Sequence, residues 1–205
     1  HGANRLGGNS LSDLLVFGKL AGVGVAKYIR GISNLVGIVD EEAKVIIRAA
    51  TAILNRESGE NPYLLHEDLE ENMQSNVGII RSAELLLEGI TNLESLKKSY
   101  KEVKANGASQ YNPGWHEALA LRNLMITAES VARSALMREE SRGAHTRVDF
   151  PGEQDEWLQS NVVIHKGKDG NMVVRKIDRQ QPNSELERIA SLSIDELEKE
   201  VNGEG

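Results

Sequence analysis

The residues best suited to chemistry stand at the start of the chain, in HGANRLGGNSL (1–11). Glycines at 2, 7 and 8 let backbone approach a ligand closely, because they carry no Cβ. Between them Arg5 offers a planar, two-pronged donor whose geometry matches a carboxylate. Ser10 and Leu11 open the apolar run that follows, and a helix starting there turns free N–H groups outward, toward an electron-rich group. This arrangement suits capture of a carboxylate beside a helix N-terminus. Taken alone, an arginine in a glycine loop is more often an ordinary surface residue, so the loop by itself leaves both readings open.

Other chemistries are excluded or weakly supported. The chain has no cysteine, which rules out disulfides, cysteine-ligated zinc and an iron–sulfur cluster held within it. Its histidines, at 1, 66, 116, 145 and 165, have no metal-ligand spacing. His66 and His116 adjoin acids and read as exposed. AGVGVA (21–26) falls inside a helical pattern and lacks the spacing and preceding strand of a dinucleotide-binding turn. A formal net charge of −7 argues against a nucleic-acid partner, since such partners call for a basic face.

The elements that must position the opening loop are mostly helical. Ser10, with Asp13 three residues on, predicts a capped helix from about 11 to 30, ending before Gly31. It is apolar almost all round, and Gly18, Ala21, Gly22 and Gly24 would admit another backbone closely. Residues 14–29 are too few for a membrane span and carry Lys19 and Lys27, so a buried helix is expected. DEEAKVIIRAATAILNR (40–56) predicts a second helix capped by Asp40.

From Pro62 the pattern becomes that of a bundle. Leu65, Leu69, Met73 and Val77 form one stripe; Leu86, Ile90, Leu93, Leu96, Tyr100 and Val103 a second; Leu121, Leu124, Ala128, Val131, Ala135 and Leu136 a third. Short Pro/Gly turns between them imply an antiparallel three-helix bundle. SNVVIHKGKDGNMVVRKID (160–178) predicts a β-hairpin with a loop of about four to six residues. The segment SIDELEKEVNGEG reads as a capped short helix and tail. The fold expected is therefore mainly α: residues 1–57 as a buried helix and connection, 58–150 as the bundle, 151–205 as hairpin and tail.

HGANRLGGNSL resembles the signature of the flavoprotein subunit of succinate dehydrogenase and fumarate reductase. NMQSNVGIIR (72–81), NPGWHEALALRNLMITAESVARSALMREESRGAHTRVDFP (112–151) and DEW (155–157) follow in that family's order, so the likeness covers about residues 1–178. It implies the C-terminal portion of a longer FAD enzyme that interconverts succinate and fumarate, with Arg5 holding a dicarboxylate's carboxylate and Ser10 and Leu11 meeting the flavin. The partners it implies are membrane anchor subunits together with an iron–sulfur subunit, through which the protein would attach peripherally at the cytoplasmic face of the membrane. Glu140, Arg142 and His145, in a stretch the family shares, are expected to form a polar latch between bundle and flavin domain. The family's flavin-linking histidine and proton-donating arginine fall outside this chain, so the chain alone should be inactive, contain no catalytic residue and bind no FAD. Two other readings remain: L-aspartate oxidase, which shares the arginine loop, and a non-catalytic helical interaction module. The uncovered first helix would also favour self-association.

Overall fold

Residues 9–34, 37–181 and 183–202 are described by a computed structural model, and helices dominate them. Helix α1 (Asn9–Arg30) and helix α2 (Asp40–Asn55) precede α3 (Pro62–Asn76), α4 (Ala83–Tyr100) and α5 (Pro113–Met137), which make the bundle. Each bundle helix starts where a polar side chain takes a free first-turn N–H. Asn61 Oδ1 accepts from the Tyr63 N–H (3.0 Å), Ser82 Oγ from Leu85 (3.2 Å) and Asn112 Oδ1 from Trp115 (2.9 Å). Pro62 and Pro113 supply the first helical position of α3 and α5, where a missing N–H costs nothing.

Burial follows the expected stripes on α3 and α4. Leu65, Leu69, Leu86, Ile90 and Leu93 are buried, and Val77 and Val103 join them from the flanking turns. Gly89 lets α3 and α4 close up: a Cβ there would come within 2.9 Å of Val77 Cγ2 and 3.0 Å of Asn76 Cβ. The Asn72 side chain uses that proximity to donate to the Gly89 carbonyl at 3.0 Å.

On α5 the expected stripe needs correction. The buried apolar positions are Ala118, Leu121, Met125, Ala128, Ala132 and Ala135, while Leu124 and Val131 are 39% and 41% exposed. Small side chains face the core because α5 packs against both α3 and α4, and alanines permit the close approach. The end of α2 docks on this core: Ile53 is buried, its carbonyl accepts from the Ala105 N–H at 3.1 Å, and Trp115 Nε1 donates to the Ala50 carbonyl at 2.8 Å.

Two capping expectations fail. Helix α1 already includes Asn9, so Ser10 lies inside its first turn rather than at the cap; Asp40 is the first residue of α2, whose cap position is Val39. The first helix is also not buried within this chain. Leu14, Leu15, Phe17, Leu20 and Val23 are all exposed, since the bundle helices already satisfy one another's apolar faces.

Strands are few. β1 (Ile80–Arg81) pairs in parallel with β2 (Thr146–Arg147). Helix α6 (Asp155–Leu158) leads into the hairpin of β3 (Ser160–Lys166) and β4 (Met172–Asp178), turned by residues 167–171 as expected, with Gly170 in the left-handed region at φ +85°. The hairpin lies against α5. Helix α7 (Ser184–Ser191), capped by Asn183, escaped the sequence reading. Helix α8 (Ile194–Asn202) opens on a capping box, with the Ser193 N–H on Glu196 Oε2 (2.7 Å) and the Glu196 N–H on Ser193 Oγ (3.4 Å). Among the described residues no helix is long and apolar enough to cross a membrane.

Candidate functional site

Arg5 and His1 lie outside the described residues. Ser10 and Leu11 sit in the first turn of α1, Ser10 half-buried and Leu11 exposed. That turn contains no acidic side chain. The first N–H groups of a helix have no partner within the helix itself.

A second polar constellation forms where the chain leaves α5. Arg138 Nε donates to Glu140 Oε1 at 2.8 Å, Arg142 Nη2 to Oε2 at 3.1 Å, and the Gln154 N–H to Oε2 at 2.9 Å. Glu140 is fully buried. Burial alone would push its carboxyl up, but these donors, Arg142 foremost, outweigh it and hold the group at about 2. Arg142 reaches on to Glu153 at 2.8 Å. Within this chain Glu140 ties the loop after α5 to the start of α6, with no oxygen left exposed.

Arg147 and Asp149, which sequence reasoning missed, join two helix ends. Arg147 is buried and sends Nη1 to the carbonyls of Ala135 and Leu136, both at 3.0 Å, at the C-terminus of α5. Its Nε and Nη2 grip Asp149 with two bonds of 2.8 Å. Asp149 in turn accepts the Ala83 N–H, at the N-terminus of α4, at 2.9 Å. The cation therefore meets the negative end of one helix and the anion the positive end of the next. The Arg147 guanidinium holds the Asp149 carboxyl well below the usual carboxylate range. The spelling Arg-Val-Asp at 147–149 was the available signal.

His145 completes the knot as a neutral ring. Arg81 Nη1 donates to its Nδ1 at 2.8 Å, so the proton belongs on Nε2, which donates to the Arg138 carbonyl at 3.0 Å. Burial, then the guanidinium charges of Arg81, Arg147 and Arg138, pull its pKa down against the carbonyl bond. His66, expected to be exposed, is half-buried with Nδ1 2.5 Å from Glu117 Oε1; His116 is exposed. Among the described residues no group of acids and histidines is arranged to hold a metal ion. The knot thus ties the loop after α5 to the ends of α4, α5 and α6.

Superposition gives a TM-score of 0.84 and 38% identity to the Mycobacterium smegmatis Sdh1 complex in the apo form, covering 96% of this chain and 35% of that one. Residues 66–193 match the family described as fumarate reductase flavoprotein C-term, and the chain belongs to that family. To the succinate dehydrogenase flavoprotein subunit of Rickettsia bellii it is 38% identical over 164 residues, covering 79% of this chain and 28% of the relative. To the succinate dehydrogenase flavoprotein subunit of Coxiella burnetii it is 34% identical over 185 residues, covering 87% of this chain and 30% of the relative. The chain thus spans under a third of the length of these relatives.

Proposed function

We propose that the chain is the C-terminal portion of an FAD-dependent oxidoreductase subunit interconverting succinate and fumarate. The observation that carries this reading is the family match over the bundle and hairpin, joined in one chain to the arginine–glycine loop that runs into α1. FAD, when bound, supplies the flavin nitrogen that exchanges a hydride with the dicarboxylate carbon. Arg5 orients one substrate carboxylate through paired N–H donors. The first turn of α1, at Ser10 and Leu11, offers backbone N–H groups to the flavin edge where negative charge gathers on reduction.

Residues 1–57 belong to the rim of the flavin and substrate region, 58–150 to the bundle, 151–205 to the hairpin and tail. The chain has no dinucleotide-gripping glycine turn, so alone it binds no FAD and turns nothing over. In the assembled enzyme, electrons pass to an iron–sulfur subunit, then to membrane anchor subunits, which hold the protein peripherally at the cytoplasmic face of the membrane. Arg5→Lys in the longer polypeptide tests the reading. Lysine keeps the charge but loses the two-pronged geometry, so succinate turnover should fall at least a hundredfold while FAD content stays near normal. Near-normal turnover overturns the role of Arg5, and turnover of L-aspartate in place of succinate assigns the chain to the sister enzyme.

A further inference from the structure

The connection between α4 and α5 carries a reactive pair. Asn106 and Gly107 stand in ANGASQYN (105–112), where residues 106–111 are all exposed while Ala105 before them and Asn112 after them are buried. An asparagine side-chain amide lies within reach of the next residue's backbone nitrogen, and a glycine there has no Cβ to shield that nitrogen from it. A fold suppresses the reaction between them when it holds either group in a hydrogen bond. Here it holds neither. Among the described residues the Asn106 side chain has no hydrogen-bond partner and the Gly107 N–H has no acceptor. Gly107 also sits at φ +101°, so glycine is the residue the turn itself requires.

Comparable pairs elsewhere are restrained. Asp169 precedes Gly170 in the hairpin turn, but its carboxylate accepts from the Asn171 N–H at 3.1 Å and from Asn171 Nδ2 at 2.7 Å. The Gly170 N–H is itself engaged, on the Gly167 carbonyl at 3.0 Å. Asn183 precedes Ser184 with its Oδ1 held by the Glu185 N–H at 2.8 Å. Asn61 and Asn112 precede prolines, whose nitrogen has no hydrogen to give up. Asn202 precedes Gly203, which lies outside the described residues.

We propose that Asn106 is a site of spontaneous covalent modification and that the change loosens the start of α5. The Gly107 nitrogen attacks the Asn106 side-chain carbonyl carbon and forms a C–N bond. The side-chain amide group leaves as ammonia, taking up the Gly107 proton, and a five-membered imide remains. Water then opens the ring at either carbonyl, giving aspartate or isoaspartate at 106. Nothing is oxidised or reduced, and solvent water is the co-reactant. Either product adds one negative charge to a chain of net −7. Isoaspartate also runs the main chain through the side-chain carbons, which lengthens it by one atom and takes the Asn106 carbonyl out of it. That carbonyl is an anchor for the cap of α5. Asn112 Nδ2 donates to the Asn106 and Ala108 carbonyls, both at 2.9 Å, while its Oδ1 holds the Trp115 N–H at 2.9 Å. The modification displaces an atom on which the capping side chain is oriented.

To test this, the 205-residue chain is held at 37 °C and mildly alkaline pH, digested with trypsin, and its peptide 105–122 followed by mass spectrometry, with isoaspartate separated from aspartate by chromatography. Fragment ions place the gain in mass at 106. Conversion in the folded chain should run within tenfold of its rate in the synthetic peptide 105–122. Asn106→Gln, a change at an exposed side chain without partners, should abolish it, because glutamine would have to close a larger ring. Trp115 amide hydrogen exchange should be at least tenfold faster in the isoaspartate form than in the unmodified chain. It should be unchanged in Asn106→Asp, which adds the charge without the extra backbone atom. Conversion more than tenfold slower than in the free peptide, conversion that persists in Asn106→Gln, or an isoaspartate form with unaltered Trp115 exchange would each overturn the proposal.

Discussion

Glu140 and His145 must both stay deprotonated, and together they set how the knot responds to pH. Each has a folded-state pKa below its ordinary value, so each contributes stability that is complete above the ordinary value and lost as pH falls. For His145 the loss starts as pH drops below about 6.5, because protonation removes the acceptor that Arg81 uses and adds a charge among three guanidinium groups. For Glu140 it starts below about 4.5 and runs down to about 2. Urea denaturation across pH 2–8 should therefore show two descending steps. His145→Gln should remove the upper one and Glu140→Gln the lower; a flat profile in the wild-type chain would contradict the assignments. At this scale the sequence was partly legible. The stretch around Glu140, Arg142 and His145 stood out, but its partners did not, because Arg81 and Gln154 reach it only once distant segments fold together.

Among elements, α5 separates pattern from packing. Apolar spacing alone put Leu124 and Val131 in the core, since large aliphatic residues dominate any periodicity count and alanines weigh little. The structure buries Ala118, Ala128, Ala132 and Ala135 beside Leu121 and Met125, and leaves Leu124 and Val131 outward. Leu121→Ala should therefore destabilise by about 2–5 kcal/mol, through lost burial and a cavity, whereas Leu124→Ala should cost under about 1 kcal/mol. Equal losses in thermal or urea unfolding would restore the stripe expected from sequence. Helices α3 and α4 were legible because their leucines and isoleucines do face the core. Helix α7 was not, because its only clear signal is the Asn183 cap on a short, mostly charged segment.

For the whole molecule, α1 is the outlying piece. Leu14, Leu15, Phe17, Leu20 and Val23 are 59–75% exposed, more contiguous apolar surface than monomers in water ordinarily tolerate. The 205-residue chain should consequently associate through α1 in light scattering at high concentration, and Phe17→Glu with Leu20→Lys should restore the monomer while the bundle keeps its unfolding midpoint. A monomer with α1 protected from hydrogen exchange would contradict this. Sequence showed that the helix is apolar all round. It could not show what covers it, since burial of an all-round apolar helix is decided by tertiary packing rather than by its own pattern.

The two-residue pairing of Ile80 with Thr146 and Arg81 with Arg147 also has a kinetic side. It joins points about 65 residues apart, whose closure from an open coil costs roughly 4 kcal/mol in chain entropy. Packing α3 on α4, as in the bond from Asn72 to Gly89, closes a loop shorter by about fourfold at roughly 1 kcal/mol less, so this tie should close after the bundle has brought its ends together. Interactions formed that late weigh on the unfolding barrier rather than on the folding rate. In stopped-flow measurements, Arg147→Met should leave the folding arm of the chevron nearly in place and raise the unfolding arm by at least tenfold. The knot, in that sense, sets the lifetime of the folded bundle more than the ease of reaching it.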